Sequence, residues 1–112
     1  MDKLNKFNDA VIDVLNEYKS HFKQTKQDIK NEVVIDERNH HYQFLWTGWR
    51  EEKHIFNVVC HIDIVDGKIW IQQDNTEIGI ANLLVEKGIS KQDIVLAYFP
   101  KAHRKYTEFA VA

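Results

Sequence analysis

The dipeptide Asp66-Gly67 lies between two runs of strand-forming residues, His54–Val65 and Lys68–Gln73, and constrains this chain more than any other feature. Two residues of that type between β-runs fit a type I′ turn, in which both central residues take positive φ. The turn fixes a register: Val65 opposite Lys68, Ile64 opposite Ile69, Asp63 opposite Trp70, Ile62 opposite Ile71 and His61 opposite Gln72. Upstream, Phe56, Val58, Cys60, Ile62 and Ile64 alternate onto one face, the pattern of a half-buried strand. The apolar hairpin pairs fall on that same face, and a one-residue slip would set the faces in conflict.

The remaining elements group around this hairpin. Leu4, Phe7, Val11, Val14, Leu15, Tyr18 and Phe22 recur at spacings of three and four, predicting a long amphipathic N-terminal helix with Asp2 as its cap. The polar stretch Lys23–Asn31 ends that pattern. Val33–Ile35 then reads as a short strand, Asp36–His40 as a polar turn and His41–Trp49 as an aromatic-rich strand. Gly48 within it signals a bulge or a close backbone approach, and Arg50–Lys53 forms the next turn. After the hairpin, Asn75 or Thr76 suits a helix cap and Glu77 its first turn, with Ile78, Ala81, Leu84 and Val85 as the buried stripe and Gly88 as the terminator. Ser90-Lys91-Gln92-Asp93 resembles a capping box opening a single turn. Val95–Phe99 is a last β-like run stopped by Pro100, and Lys101–Ala112 carries no pattern that assigns it. The expected fold class is α+β: an antiparallel four- to five-stranded sheet, with the long N-terminal helix and the middle helix packed on one face, as a single domain over residues 1–112.

Composition narrows the function classes. At 44% hydrophobic and 29% charged residues the chain has the mixture of a globular rather than a disordered protein. No apolar run approaches the ~20 residues of a membrane span, and Met-Asp-Lys-Leu-Asn-Lys lacks the apolar core of a secretion signal. Cys60 is the single cysteine, so no intrachain disulfide forms. These features predict a cytoplasmic protein. Lys+Arg 15 against Asp+Glu 17 leaves a net charge of −2, whereas strong DNA binders usually carry a positive excess. Only two short basic patches exist, Lys19, Lys23, Lys26 and Lys30, and Lys101, His103, Arg104 and Lys105, and each reads first as solvated surface.

The residues capable of chemistry do not assemble into an active site by spacing. His61 and Asp63, two apart on one strand, point the same way, and a metal would need His40, His41, His54 or His103 to complete a ligand set. No recognisable zinc spacing is present, so no metal site, cofactor or catalytic residue is assigned. Cys60 falls on the core face, where a thiol is inert. A nuclease would need acids where the strand reads Trp70-Ile71-Gln72-Gln73. Trp70 faces away from the core beside His61, Asp63 and Gln72, a composition suited to an interface, self-association included. The open alternative is that the N-terminal helix or the C-terminal tail covers Trp70.

Several stretches in order resemble the XisI family, the excision-controlling factors of the nitrogen-fixation fdxN DNA element in cyanobacteria. They are His41-Tyr42-Gln43, Gly48-Trp49, His61-Ile62-Asp63-Ile64, Asp66-Gly67-Lys68-Ile69-Trp70-Ile71-Gln72-Gln73 with Thr76-Glu77, Asp93-Ile94-Val95-Leu96 and Tyr106-Thr107-Glu108-Phe109-Ala110. The chain departs from the family at Gly88-Ile89-Ser90-Lys91, where members often carry Pro before the Lys, and at Asn39-His40, where many have Asp before the His-Tyr pair. The resemblance implies a non-enzymatic accessory factor controlling programmed excision of a DNA element by a site-specific recombinase. It also implies a partner, the nuclease-fold protein XisH, typically encoded alongside. Trp70, His61, Asp63 and Gln72, joined by Trp49 and Arg50, are the expected partner surface. The alternatives are an antitoxin-like neutraliser of that partner, or a DNA-binding accessory protein using Arg104, Lys105, Lys23, Lys26 and Lys30.

Overall fold

The computed structural model describes residues 3–22 and 28–112; Asp2, Lys23 and Lys26 lie outside them. Helix α1 (Lys3–Ser20) buries Phe7, Ala10, Val11, Val14 and Leu15 along one stripe, as the three-and-four spacing requires. The strands are β1 (Asp28–Asp36), β2 (His41–Arg50), β3 (Lys53–Val65), β4 (Lys68–Asp74) and β5 (Ile94–Leu96). They form one sheet in the order β1-β2-β3-β4-β5. Strands β1 to β4 run as an antiparallel meander, and α2 (Ile80–Glu86) carries the chain across so that β5 joins β4 in parallel. The last strand therefore departs from the antiparallel expectation: a strand reached through a crossover helix re-enters the sheet in the same direction. Both helices pack on one sheet face, and the class is α+β.

The Asp66-Gly67 turn has the expected geometry, with φ of 49° and 75°. Register holds through Val65–Lys68, Ile64–Ile69, Asp63–Trp70 and Ile62–Ile71, and then Gln72 is left over, so His61 pairs with Gln73. A second irregularity lies on the other side of β3. Phe44 pairs with Cys60 but Leu45 with Val58, leaving Val59 unpaired. Each extra residue inverts the alternation beyond it. Cys60, Ile62 and Ile64 are buried on the core face as expected. Val58 and Phe56, whose partners are Leu45 and Thr47, are turned to the opposite face, and Phe56 is 63% exposed.

Other boundaries move for local reasons. β1 is nine residues long rather than three; it pairs only with β2 among the described residues, and an edge strand tolerates the charges that Asp28, Lys30 and Glu32 place there. Helix α2 begins at Ile80, not near Thr76, because Asp74 caps from a distance. Its carboxylate accepts hydrogen bonds from the backbone N–H of Thr76 (2.9 Å) and of Ile80 (2.8 Å), and Ile78 is left exposed. The helix ends as a Schellman motif, with Gly88 N–H to the Val85 carbonyl (3.0 Å) and Ile89 N–H to that of Leu84 (3.1 Å). Ser90 caps the 3-10 turn Lys91–Asp93 by accepting from the N–H of Gln92. The unassigned tail forms a 3-10 helix, Lys101–Tyr106, and returns Ala110 to bridge Val95.

The core between α1, α2 and the inner sheet face contains Tyr42, Phe44, Cys60, Ile62, Ile69, Ile71, Leu84 and Ile94, all without solvent exposure. Each fully buried aliphatic side chain of this kind contributes roughly 1.5–3 kcal/mol. The one hydroxyl among them is satisfied: Tyr42 Oη donates to Asn8 Oδ1 at 2.6 Å.

A Cβ at Gly67 meets nothing within 4 Å, so Gly67→Val strains only the left-handed backbone, with a cost on the order of 1–3 kcal/mol. A Cβ at Gly48 falls 1.8 Å from the Asp28 carbonyl oxygen, so Gly48→Ala forces β1 off β2 and lowers the melting temperature further. An unchanged melting temperature for Gly67→Val would contradict the turn type. Burial pushes the Cys60 thiol up to about 12 from 9.0 and the Tyr42 hydroxyl up to about 12 from 10.0. Above pH 9 the unfolded thiol ionises while the folded one does not, so stability is full below pH 9 and falls between pH 9 and 12. Urea midpoints at pH 8 and pH 10.5 should show this fall, Cys60→Ala should reduce it, and native Cys60 should resist thiol labelling until denaturant is added.

Candidate functional site

Antiparallel partners share a face, so the register defines what the helices leave uncovered. From β1 this outer face takes Lys30, Glu32 and Val34, and from β2 His41, Gln43, Leu45, Thr47 and Trp49. From β3 it takes His54, Phe56, Val58, His61 and Asp63, and from β4 Trp70 and Gln73. Its chemical centre is a hydrogen-bonded group across β2 and β3. His41 Nδ1 and His61 Nε2 donate to the same oxygen, Asp63 Oδ1, at 2.6 and 2.7 Å. Gln43 Nε2 lies 2.8 Å from His61 Nδ1 and donates to it. This leaves His61 with one protonated and one accepting nitrogen, as a neutral imidazole requires.

The face is half covered at one end. Trp70 lies under the Arg104 guanidinium, whose centre is 5.4 Å from the indole centroid. Arg104 also donates to the backbone carbonyls of Phe99 (3.1 Å), Ala97 (3.4 Å) and Val111 (3.4 Å), which binds the tail over β5. At the other end Trp49 is 52% exposed and packs against His54, with ring centroids 4.7 Å apart and the planes tilted by 40°. Arg50, one residue on, falls on the inner side of the sheet at its rim, and is exposed. Gln72 is exposed and is the unpaired residue beside His61, so it is not the cross-strand neighbour that an unbroken ladder predicts. The structure thus brings His61, Asp63 and Trp70 together on one face, with Gln72 unpaired beside His61 and Trp49 farther along, and leaves Arg50 at the rim of the other side.

The described basic residues do not converge. Lys30 lies on β1 and Arg104 and Lys105 beyond β5, at opposite edges of the sheet and roughly 19 Å apart at four strand spacings. Lys105 stacks on Tyr106 at 5.2 Å. Lys91 pairs with Glu108 at 2.7 Å and holds its carboxyl below the usual range.

Two features escaped sequence reasoning. Counted back from the Arg50–Lys53 pair without a bulge, His41 would face Ile62; the unpaired Val59 advances it to Asp63. A cleft of about 910 Å³ also opens where β4 stops and β3 continues, lined by Tyr18, Phe22, Trp46, Phe56, Val59 and Ile78 among others. It draws on four separate segments, so no local pattern announces it. Among the described residues no helix is long and apolar enough to cross a membrane.

A model of the family described as XisI protein matches residues 1–111. Among solved structures the chain is similar to a XisI-like protein from Anabaena variabilis, at 35% identity over 97% of this chain and 99% of that one, with a TM-score of 0.90. It is also similar to the fdxN element excision controlling factor XisI of the same organism, at 29% identity over 99% and 100% of the two chains, with a TM-score of 0.86. No curated protein sequence matches it.

The Arg104 contacts predict that Arg104→Ala frees the tail. The loss of the cation–π contact and of charge-assisted hydrogen bonds on a half-exposed group should cost about 1–2 kcal/mol. Trp70 fluorescence should shift to the red, and backbone amides of residues 97–111 should exchange faster. An unshifted emission would mean that the guanidinium does not shield the indole.

Proposed function

The chain belongs to the XisI family, and from that premise we propose that it is a non-enzymatic accessory factor, acting as one domain, that controls excision of a DNA element by binding an XisH-like protein. The observation that carries this reading is a sheet face that α1 and α2 leave uncovered among the described residues, with Trp49, Phe56 and Val34 exposed on it around a polar centre. Large aromatic groups ringed by hydrogen-bonding side chains are the composition of a docking surface. The net charge of −2 and the dispersal of Lys30, Arg104 and Lys105 favour a protein partner over direct phosphate contact. Arg104 in particular has its donors engaged with the tail.

Within this reading, Trp49 and Trp70 have different roles. Trp49 is exposed and contributes little to the fold; Trp70 anchors the tail at the border of the face. Trp49→Ala should therefore leave the melting temperature nearly unchanged and weaken capture of the XisH-like protein by about 30-fold, the equivalent of roughly 2 kcal/mol for an interface anchor. Trp70→Ala should lower stability as well as capture. The measurement is a titrated pull-down paired with a thermal melt on each variant. Unchanged capture by Trp49→Ala would move the partner surface off this face. A DNA affinity of the isolated chain that falls steeply with salt would replace the protein-partner reading with direct DNA binding.

A further inference from the structure

The His–Asp–His group on the outer face has the makings of a metal site. Three side chains from two adjacent strands converge on it, and their ligand atoms all lie within 4.8 Å of one another. Imidazole nitrogen and carboxylate oxygen are the donors that borderline divalent ions take. Backbone pairing sets their positions: His41 is the cross-strand partner of Asp63, and His61 is two residues from it on the same strand. All three lie on one face of a rigid sheet, so little ordering remains to be done on binding.

The present distances suit protons in place of a metal. Each imidazole holds Asp63 Oδ1 through an N–H, at 2.6 and 2.7 Å. In a tetrahedral site with bonds of about 2.0–2.1 Å, ligand atoms stand about 3.3 Å apart. An ion therefore enters as each neutral imidazole shifts its proton to the ring nitrogen facing away from Asp63 Oδ1, with no net loss of a proton, and as each pair widens by less than ~1 Å. His41 has the freedom to make that movement, with a side chain 53% exposed, whereas His61 and Asp63 are held at 24% and 16%. Gln43 completes the arrangement. Rotating its amide exchanges Nε2 for Oε1 at 2.8 Å from His61 Nδ1, so the same side chain then accepts Nδ1–H and leaves Nε2 to the metal.

We propose that His41, His61 and Asp63 form a three-ligand site for one divalent ion of the zinc, cobalt and nickel class, oriented by Gln43, with its remaining coordination positions open on the outer face. The site does not depend on partner docking, and its test uses the chain alone. Untagged full-length protein is titrated with Zn²⁺ by calorimetry and with Co²⁺ by visible absorption, following Trp fluorescence in parallel because Trp70 pairs across from Asp63. The expected result is saturable binding of one ion per chain, with the Co²⁺ bands of a nitrogen- and oxygen-ligated centre. His41→Ala and Asp63→Asn should each weaken binding at least tenfold, and Gln43→Leu about tenfold. His54→Ala and His103→Ala should leave it unchanged. His41 is exposed, so its replacement removes no buried group and decides the matter even if Asp63→Asn disturbs the fold. Absence of saturable binding for Zn²⁺, Co²⁺ and Ni²⁺, or an affinity that survives His41→Ala, would overturn the assignment and leave the group as a hydrogen-bonded fastener between β2 and β3.

Discussion

One unpaired residue, Val59, sets how the two halves of the sheet relate. The hairpin at Asp66-Gly67 fixes Cys60, Ile62 and Ile64 to the core face, and the Arg50–Lys53 connection fixes the start of the β2–β3 ladder independently. An unbroken ladder between those two points would set Tyr42 and Phe44 on the outside. The bulge advances the register by one, so that Tyr42 and Phe44 share the inner face with Ile62 and Cys60, and α1 closes over all four. The same step puts His41 opposite Asp63. Core formation and the polar group on the outer face therefore have one geometric cause, and losing the bulge would undo both.

The C-terminal segment shows how a small sheet finishes itself. β5 has only three residues, too short to seal an edge alone. The following chain folds back, Ala110 bonds to the Ile94 carbonyl at 2.9 Å, and Arg104 ties the turn to the tail over the Trp70 ring. A residue that looks like a nucleic-acid contact in sequence thus acts as a clamp.

Much of this was legible in the sequence where the pattern is local. The three-and-four stripe of α1, the Asp66-Gly67 turn and the four pairs beside it rest on neighbouring residues alone. Helix α2 was found but misplaced at its start, because Asp74 caps it across six residues and its own first turn lacks a side-chain cap. The faces of Phe56 and Val58 and the cross-strand partner of His61 differ from the period-two count because that count assumes an unbroken ladder, and both interruptions lie in pairings of β3 that only the assembled sheet reveals. For the site, the likeness of His61, Asp63 and Trp70 in direction could be read along β3 and β4. The addition of His41 and Gln43 could not, since it depends on the bulge. Nor could the covering of Trp70, which comes from a segment with no periodic signal.

The meander connectivity has a consequence for the order of assembly. β1 to β4 are joined by three short turns, so each pairing closes a small loop at little entropic cost. The contacts of α1 with β3, the parallel entry of β5 and the return of Ala110 all span longer stretches of chain and are rewarded only once the hairpins stand. In a chain built this way the pairings that cost least to close lie at its middle and the costlier ones at its two ends. The outer face, which belongs to the hairpins apart from its Arg104 border, thus rests on the pairings of lowest loop-closure cost, whereas the core face depends also on the helix and tail contacts that span longer stretches of chain.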